Sequence, residues 1–244
     1  MATDGLRERL GRATGALLAP MIERVSRARH GRTFHPEGRV FEAQVEAMRP
    51  GVAEALGPRA LVRLSPALWR GVHERLEVLG MALRFRRSAE PFDAAARPGD
   101  TDLLTATIRS PLTMVFSPFT TNAHDFVGNT YWAVSPFAYD GERFELRCVP
   151  VDPPRDDRSR TRTEKLLAAV ERGRAQWLLQ QRATLHLRWQ TIARIALDRE
   201  IAVDQEALRF DPFRGALEPV GFVHAIRRAV YAASQQGRAA TAHV

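Results

Sequence analysis

Along residues 6–29 apolar positions recur at helical spacing. Leu6, Leu10, Leu17, Leu18, Met21, Ile22 and Val25 fall on one side, against Arg7, Glu8, Arg9, Arg12, Glu23 and Arg24 on the other. The pattern predicts an amphipathic helix, bent or broken at Pro20. From residue 38 the period changes to two: Phe41, Ala43, Val45 and Ala47 alternate with Glu42, Gln44 and Glu46, as in a half-buried strand. Further strands are expected at 60–64, 81–86, 103–108, 131–137 and 144–149, punctuated by Gly80, Pro98-Gly99, Pro118 and Asp140-Gly141. Asp140-Gly141 between two apolar runs reads as a hairpin turn. After a polar loop at 152–162, Leu166, Leu167, Val170, Trp177, Leu178, Leu185 and Trp189 suggest helix from 163 to 195. A last helix is expected near 221–238, beyond the linker at 210–215. The resulting layout is an N-terminal helix at 6–29, barrel or sheet strands over 38–150 and a helical part over 163–238. It predicts one α+β domain over 1–244.

Composition narrows the function classes. A chain of 244 residues, 45% hydrophobic and 26% charged, has the makings of a folded globule with a sizeable core. The net charge is +8, and Lys165 is the only lysine among 36 basic residues. Coding bias accounts for most of that preference, but some arginines are candidates for binding carboxylates or phosphates, which the guanidinium fork suits. The arginines are scattered, without helix-turn-helix, zinc-finger or RNP-like spacing, so no specific nucleic-acid partner is expected. Cys148 is the sole cysteine, which excludes an intrachain disulfide and a cysteine-based metal centre. It falls in phase with Phe144 and Leu146 and reads as a small buried apolar residue. The opening Met1-Ala2-Thr3-Asp4-Gly5 lacks the pattern of a secretory signal, and no apolar run approaches the ~20 residues of a membrane span. A cytoplasmic location without a transmembrane segment is the expectation.

Walker, Gly-x-Gly-x-x-Gly, His-Glu-x-x-His and Gly-x-Ser-x-Gly signatures are absent from the sequence. Three other segments stand out in order: Arg32-Thr33-Phe34-His35-Pro36-Glu37-Gly38, then Val62-Arg63-Leu64-Ser65, then Arg227-Arg228-Ala229-Val230-Tyr231-Ala232-Ala233-Ser234 with Arg238 beyond. Singly, each has a plain reading. His35 can be a turn histidine bonded to backbone, and Arg227 with Tyr231 an ion and packing pair on an amphipathic helix.

Together they resemble the haem catalase family and its smaller catalase-related members. That family writes its distal segment Arg-x-x-His-x-x-Gly, then Val-Arg-Phe-Ser, then a proximal helix with Arg-x-x-x-Tyr and a further arginine. Gly80-Met81-Ala82-Leu83-Arg84-Phe85 and Asp102-Leu103 match intervening family segments, so the resemblance spans residues 32–238. A second anchor, Glu218-Pro219-Val220-Gly221, resembles a segment that precedes the proximal helix of full-length catalases, and under it residues 222–238 match the intervening stretch instead.

The resemblance implies a catalase-like antiparallel β-barrel with N-terminal and C-terminal helices packed around it. It implies haem b (iron protoporphyrin IX) as cofactor, with a hydroperoxide and a small-molecule reductant as partners, and leaves a homo-oligomer open. Tyr231 would be the axial iron ligand, with Arg227 one turn earlier favouring its phenolate and Arg238 beyond it. Arg32 and Arg63 would pair with the propionates. His35 would take a proton from peroxide and return it to the leaving oxygen, with Ser65 orienting the imidazole. Thr107 stands in Asp102–Thr107, where large catalases carry an asparagine donor. Loss of one preorganised donor costs roughly 10²–10³-fold in rate. The implied activity on hydrogen peroxide or organic hydroperoxides is therefore peroxidase-type rather than fast dismutation. The alternative is an inactive catalase-fold protein that binds or senses haem.

Overall fold

The structure, a computed structural model, describes residues 38–67, 74–110, 114, 116–133, 135–153, 158–184 and 186–220. Strands β1 (Arg39–Ala47), β2 (Arg59–Pro66), β3 (Leu79–Arg86) and β4 (Thr101–Ala106) follow one another as an antiparallel meander. β5 (Tyr131–Trp132) pairs with β4 and with β7 (Glu142–Pro150), and β6 (Phe137–Tyr139) pairs farther along the same edge of β7. β8 (Gln176–Ala183) and β9 (Gln190–Glu200) carry the meander round to β1, where Phe41 faces Glu200. Eight strands thus close a ring in the order β1-β2-β3-β4-β5-β7-β8-β9, while β6 and the short β10 (Glu218–Pro219) extend from it. Closure leaves the ring without an open edge.

Alternation sorts the side chains. Val62 lies opposite both Phe41 and Leu83, and Leu83 opposite Leu103, so one continuous inner face is apolar. Each of the large, fully buried side chains there, such as Trp177, Phe41 and Phe85, contributes about 1.5–3 kcal/mol relative to exposure. Of the three helices described, the first and third supply plugs. α1 (Val52–Leu56), between β1 and β2, buries Val52, Ala53 and Leu56 in the core. The short α2 (Ser117–Thr120) lies between β4 and β5. α3 (Arg162–Glu171), between β7 and β8, buries Leu166 and Ala169. Strand direction alternates round the ring, so α1 and α3 sit at opposite ends of it.

A second layer covers part of the outside. Val40 and Leu61 pack with Phe92 and Leu208, drawn from the segments after β3 and after β9. Beneath this strap lie two buried ion pairs across β3 and β4. Arg84 grips Asp102 through two bonds of 2.9 and 3.2 Å, and Arg86 grips Asp100 through bonds of 2.9 and 2.7 Å. The Arg84 guanidinium also stacks on Phe210, and that of Arg86 on Phe92.

The antiparallel barrel matches the expectation, but its composition from the sequence differs in two stretches. The helical part expected over 163–238 holds for Arg162–Glu171 alone among the described residues. Gln176–Ala183 and Gln190–Glu200 are strands, so the barrel is completed well beyond residue 150. Gly173, with φ 64°, ends α3, and beyond it Trp177 and Leu179 alternate inward with period two. The single strand expected over 131–137 is split into β5 and β6 by Ser135-Pro136, since proline supplies no ladder donor. The helices expected at 6–29 and 221–238 lie outside the described residues. No helix among the described residues is long and apolar enough to cross a membrane.

Candidate functional site

The register of β1 against β2 sets Val40 opposite Arg63 and Arg39 opposite Leu64. Gly38 therefore arrives beside Ser65, one step beyond the paired residues. The contact is close: a Cβ added to Gly38 would meet the Arg63 Cζ at 2.6 Å. The end of the first motif and the body of the second are thus neighbours on the outer face of the barrel. Arg63 is buried there, its Nε donating to Gln205 Oε1 at 3.0 Å, while Gln205 Nε2 donates to the Gly38 carbonyl at 3.1 Å. Ser65 is 2% exposed.

From Ser65 a row of small residues runs round the outside. Ser65 lies opposite Gly80, Gly80 opposite Ala106, and Ala106 opposite Trp132. The adjoining row is Arg63, Ala82 and Leu104. Ala82, Leu104, Ala106 and Trp132 are only partly buried. Arg63 and Ser65, both buried, stand at one end of these rows, the small-residue floor, and the partly buried Trp132 indole at the other.

Thr107 is not brought to this floor. It follows Ala106 at the bend that ends β4, and its hydroxyl oxygen accepts the Leu79 N–H at 3.0 Å. The Thr107 and Thr121 hydroxyls bond each other at 2.7 Å, and Thr121 donates to the Ser117 carbonyl at 2.8 Å. With the Thr121 proton on Ser117, the Thr107 proton serves Thr121. Strand alternation puts Thr107 there: Leu79, opposite it, belongs to the inner core, whereas Ser65 is on the outside. Thr107 fastens the β4–α2 connection to β3.

Next to that connection is an open groove of about 420 Å³, lined in part by Glu74, Thr120, Thr121, His124 and Arg158. His124 Nδ1 lies 3.1 Å from Glu74 Oε2, while Glu74 Oε1 accepts the Arg162 N–H at 2.6 Å, at the start of α3. The carboxylate is thus shared between an imidazole and a helix terminus, which secures the β2–β3 connection to α3.

Of the residues singled out in the sequence, Arg63 and Ser65 are adjacent on one face and Thr107 is apart from them. Arg32, His35, Arg227, Tyr231 and Arg238 lie outside the described residues. Among the described residues no group of three or more His, Cys, Asp or Glu side chains could hold a metal ion. The small floor was missed in the sequence, because Gly80, Ala82 and Ala106 become neighbours only through strand pairing. No protein-family model matches the chain, and no curated protein matches it.

Proposed function

We propose that this chain is a haem b-dependent oxidoreductase of the catalase-like kind, with peroxidase-type turnover of hydrogen peroxide or an organic hydroperoxide in the cytoplasm. The observation that carries the reading is the register of β1 on β2. It sets Gly38, the last residue of Arg32–Gly38, against Arg63 and beside Ser65, at the edge of the floor formed by Gly80, Ala82, Leu104 and Ala106. The small residues Gly80, Ala82 and Ala106 would leave room for a planar porphyrin face, and the guanidinium fixed by Gln205 would neighbour a carboxylate substituent. When bound, haem supplies the iron redox chemistry by which the O–O bond is divided.

The chain's own groups have simpler tasks. Arg63 holds positive charge at the floor's edge. Ser65 orients the His35 imidazole, and His35 carries a proton from one peroxide oxygen to the other. Tyr231 provides an oxygen ligand. A phenol has an ordinary pKa of about 10, so Arg227 is assigned to favour its ionised form. The second reading, haem binding without turnover, is favoured by the engagement of Thr107, which leaves Ser65 as the described hydroxyl of the three candidate catalytic residues on that face.

The visible spectrum of the purified full chain tests the proposal. A Soret band at about one haem per chain, lost in Tyr231→Phe, is expected. A colourless protein that haemin does not reconstitute overturns it. His35→Ala is expected to keep the haem and to lose peroxide-driven oxidation of an organic donor. A wild-type chain with haem but no turnover selects the second reading.

A further inference from the structure

Arg147 and Arg182 bring two guanidiniums against one indole. Their Cζ atoms lie 4.1 and 4.7 Å from the centre of the Trp189 ring. The arrangement is built by the sheet: Arg147 lies opposite Gln180 and Arg182 opposite Glu145 across β7 and β8, all on the outer face. Each cation then receives a different partner. Arg182 pairs with the Glu145 carboxylate. Besides the ring, Arg147 is held among the described residues through its Nε, which donates to Gln180 Oε1 at 2.9 Å, and Gln180 Nε2 in turn donates to Thr191 at 3.2 Å. No carboxylate among the described residues pairs with Arg147, so its two terminal amino groups have no anionic partner there. Arg109, exposed and equally without a carboxylate among the described residues, is near enough to repel it.

This is an unbalanced arrangement. An indole face offsets part of the repulsion between cations. The rest persists: burial first, then the like charges of Arg182 and Arg109, push the Arg147 guanidinium below its ordinary value. A surface arginine with nothing to bind would extend into water, whereas this one is oriented by a Gln–Thr relay and pressed on a ring. Orientation of a guanidinium by its Nε leaves the terminal fork for a bidentate acceptor.

We propose that Arg147, Arg109 and Trp189 form a binding site for the anionic end of a small ligand, a phosphate or a carboxylate. The Arg147 fork takes two of its oxygens, and Arg109 adds a second positive charge nearby. Gln180 and Trp189 are positioning residues. The site stands independently of haem, although Trp132, at the far edge of the small-residue floor, lies directly opposite Arg147.

Calorimetric titration of the full chain with inorganic phosphate and, separately, with citrate tests this. Saturable binding of at least one of them is expected, and the arm that binds tells the phosphate source from the carboxylate source. Arg147→Gln is expected to weaken it at least tenfold. Arg109→Gln, at an exposed position that leaves folding intact, should weaken it severalfold. Arg97→Gln, an exposed arginine elsewhere with the same change in charge, should leave it unchanged. If neither anion binds, or if all three variants weaken binding alike through general basicity, the site does not exist. Loss of haem in Arg147→Gln would assign the residue to the floor instead and overturn a separate site.

Discussion

Arg84 and Asp102 show how much a single side chain can carry here. Both are fully buried, and Asp102 also accepts the Asp211 N–H at 2.8 Å, while Arg84 Nη1 reaches the Ala94 carbonyl. Removing one partner of such a pair strands a charge and costs about 3–5 kcal/mol, whereas an apolar pair of similar volume is often tolerated. Arg84→Leu is therefore expected to lower the stability of the barrel by that amount, with much of it recovered in Arg84→Leu/Asp102→Leu, as read by urea unfolding. Equal losses in the single and double variants would refute this. Asp100 gives the matching pH prediction. Burial would raise its carboxyl, but the Arg86 guanidinium and the Arg97 N–H outweigh burial and leave it below the ordinary value. Its folded value is the lower one. Its contribution is thus fully present above about pH 4, the unfolded value, and is lost as pH falls through the folded value. Asp102, raised by burial against the pull of Arg84, works in the opposite sense. Asp100→Asn is expected to flatten the acid limb of the stability profile below about pH 4, at some cost at neutral pH. An unchanged limb would remove Asp100 as its cause.

At the level of elements, the legible pieces were those whose signal is local. β1 announced itself through strict alternation, and Asp140-Gly141 through turn chemistry, with φ of 49° and 77° in the structure. The start of α3 lies within one residue of the expected 163, and there the Thr161 hydroxyl accepts the Glu164 N–H and the Glu164 carboxylate accepts the Thr161 N–H, a cap the apolar pattern does not show. Its end was misread because Leu178, half-buried on the outer face, and Trp177, buried inside, sit side by side in sequence and imitate a helical stripe. The strap over β1–β4 was not legible at all. Its anchor is a contact between residues far apart in the chain: a Cβ on Gly215, whose φ is 97°, would fall 2.2 Å from Thr101 Oγ1 and 2.5 Å from its Cα. Both the backbone conformation and the space demand glycine. Gly215→Ala is expected to loosen 201–217 first, with a global loss of roughly 1–3 kcal/mol. Faster hydrogen exchange at Asp211 and Ala216 than in β2 checks the order; uniform acceleration would contradict it.

For the molecule as a whole, the barrel was readable as a class and the site only as disconnected motifs, since no spacing in the chain reveals that Ser65, Gly80 and Ala106 share a row. Cys148 makes the whole barrel measurable. It is fully buried in the core, and burial pushes its thiol up to about 12. An unfolded thiol titrates near about 8.5, so this group favours the fold neither way below that pH and destabilises it as pH climbs from there towards the folded value. A thiol reagent is expected to label Cys148 only through global opening, at a rate that follows the unfolding equilibrium. Rapid labelling of the native chain would show that the core opens locally. The pairing of β1 with β9 carries one more consequence, for the timing of synthesis. Arg39 meets Glu200 across 161 positions of chain, and the other neighbours in the ring are much nearer in sequence. A ribosome adding about 5–20 residues per second takes on the order of 10–30 s to cover that interval. Throughout it, β1 has β2 on one flank and an unsatisfied ladder on the other, with Phe41, Ala43 and Val45 waiting beside it. The nascent chain is then an open sheet, and keeping other nascent chains off that flank falls to the cell until the ninth strand arrives.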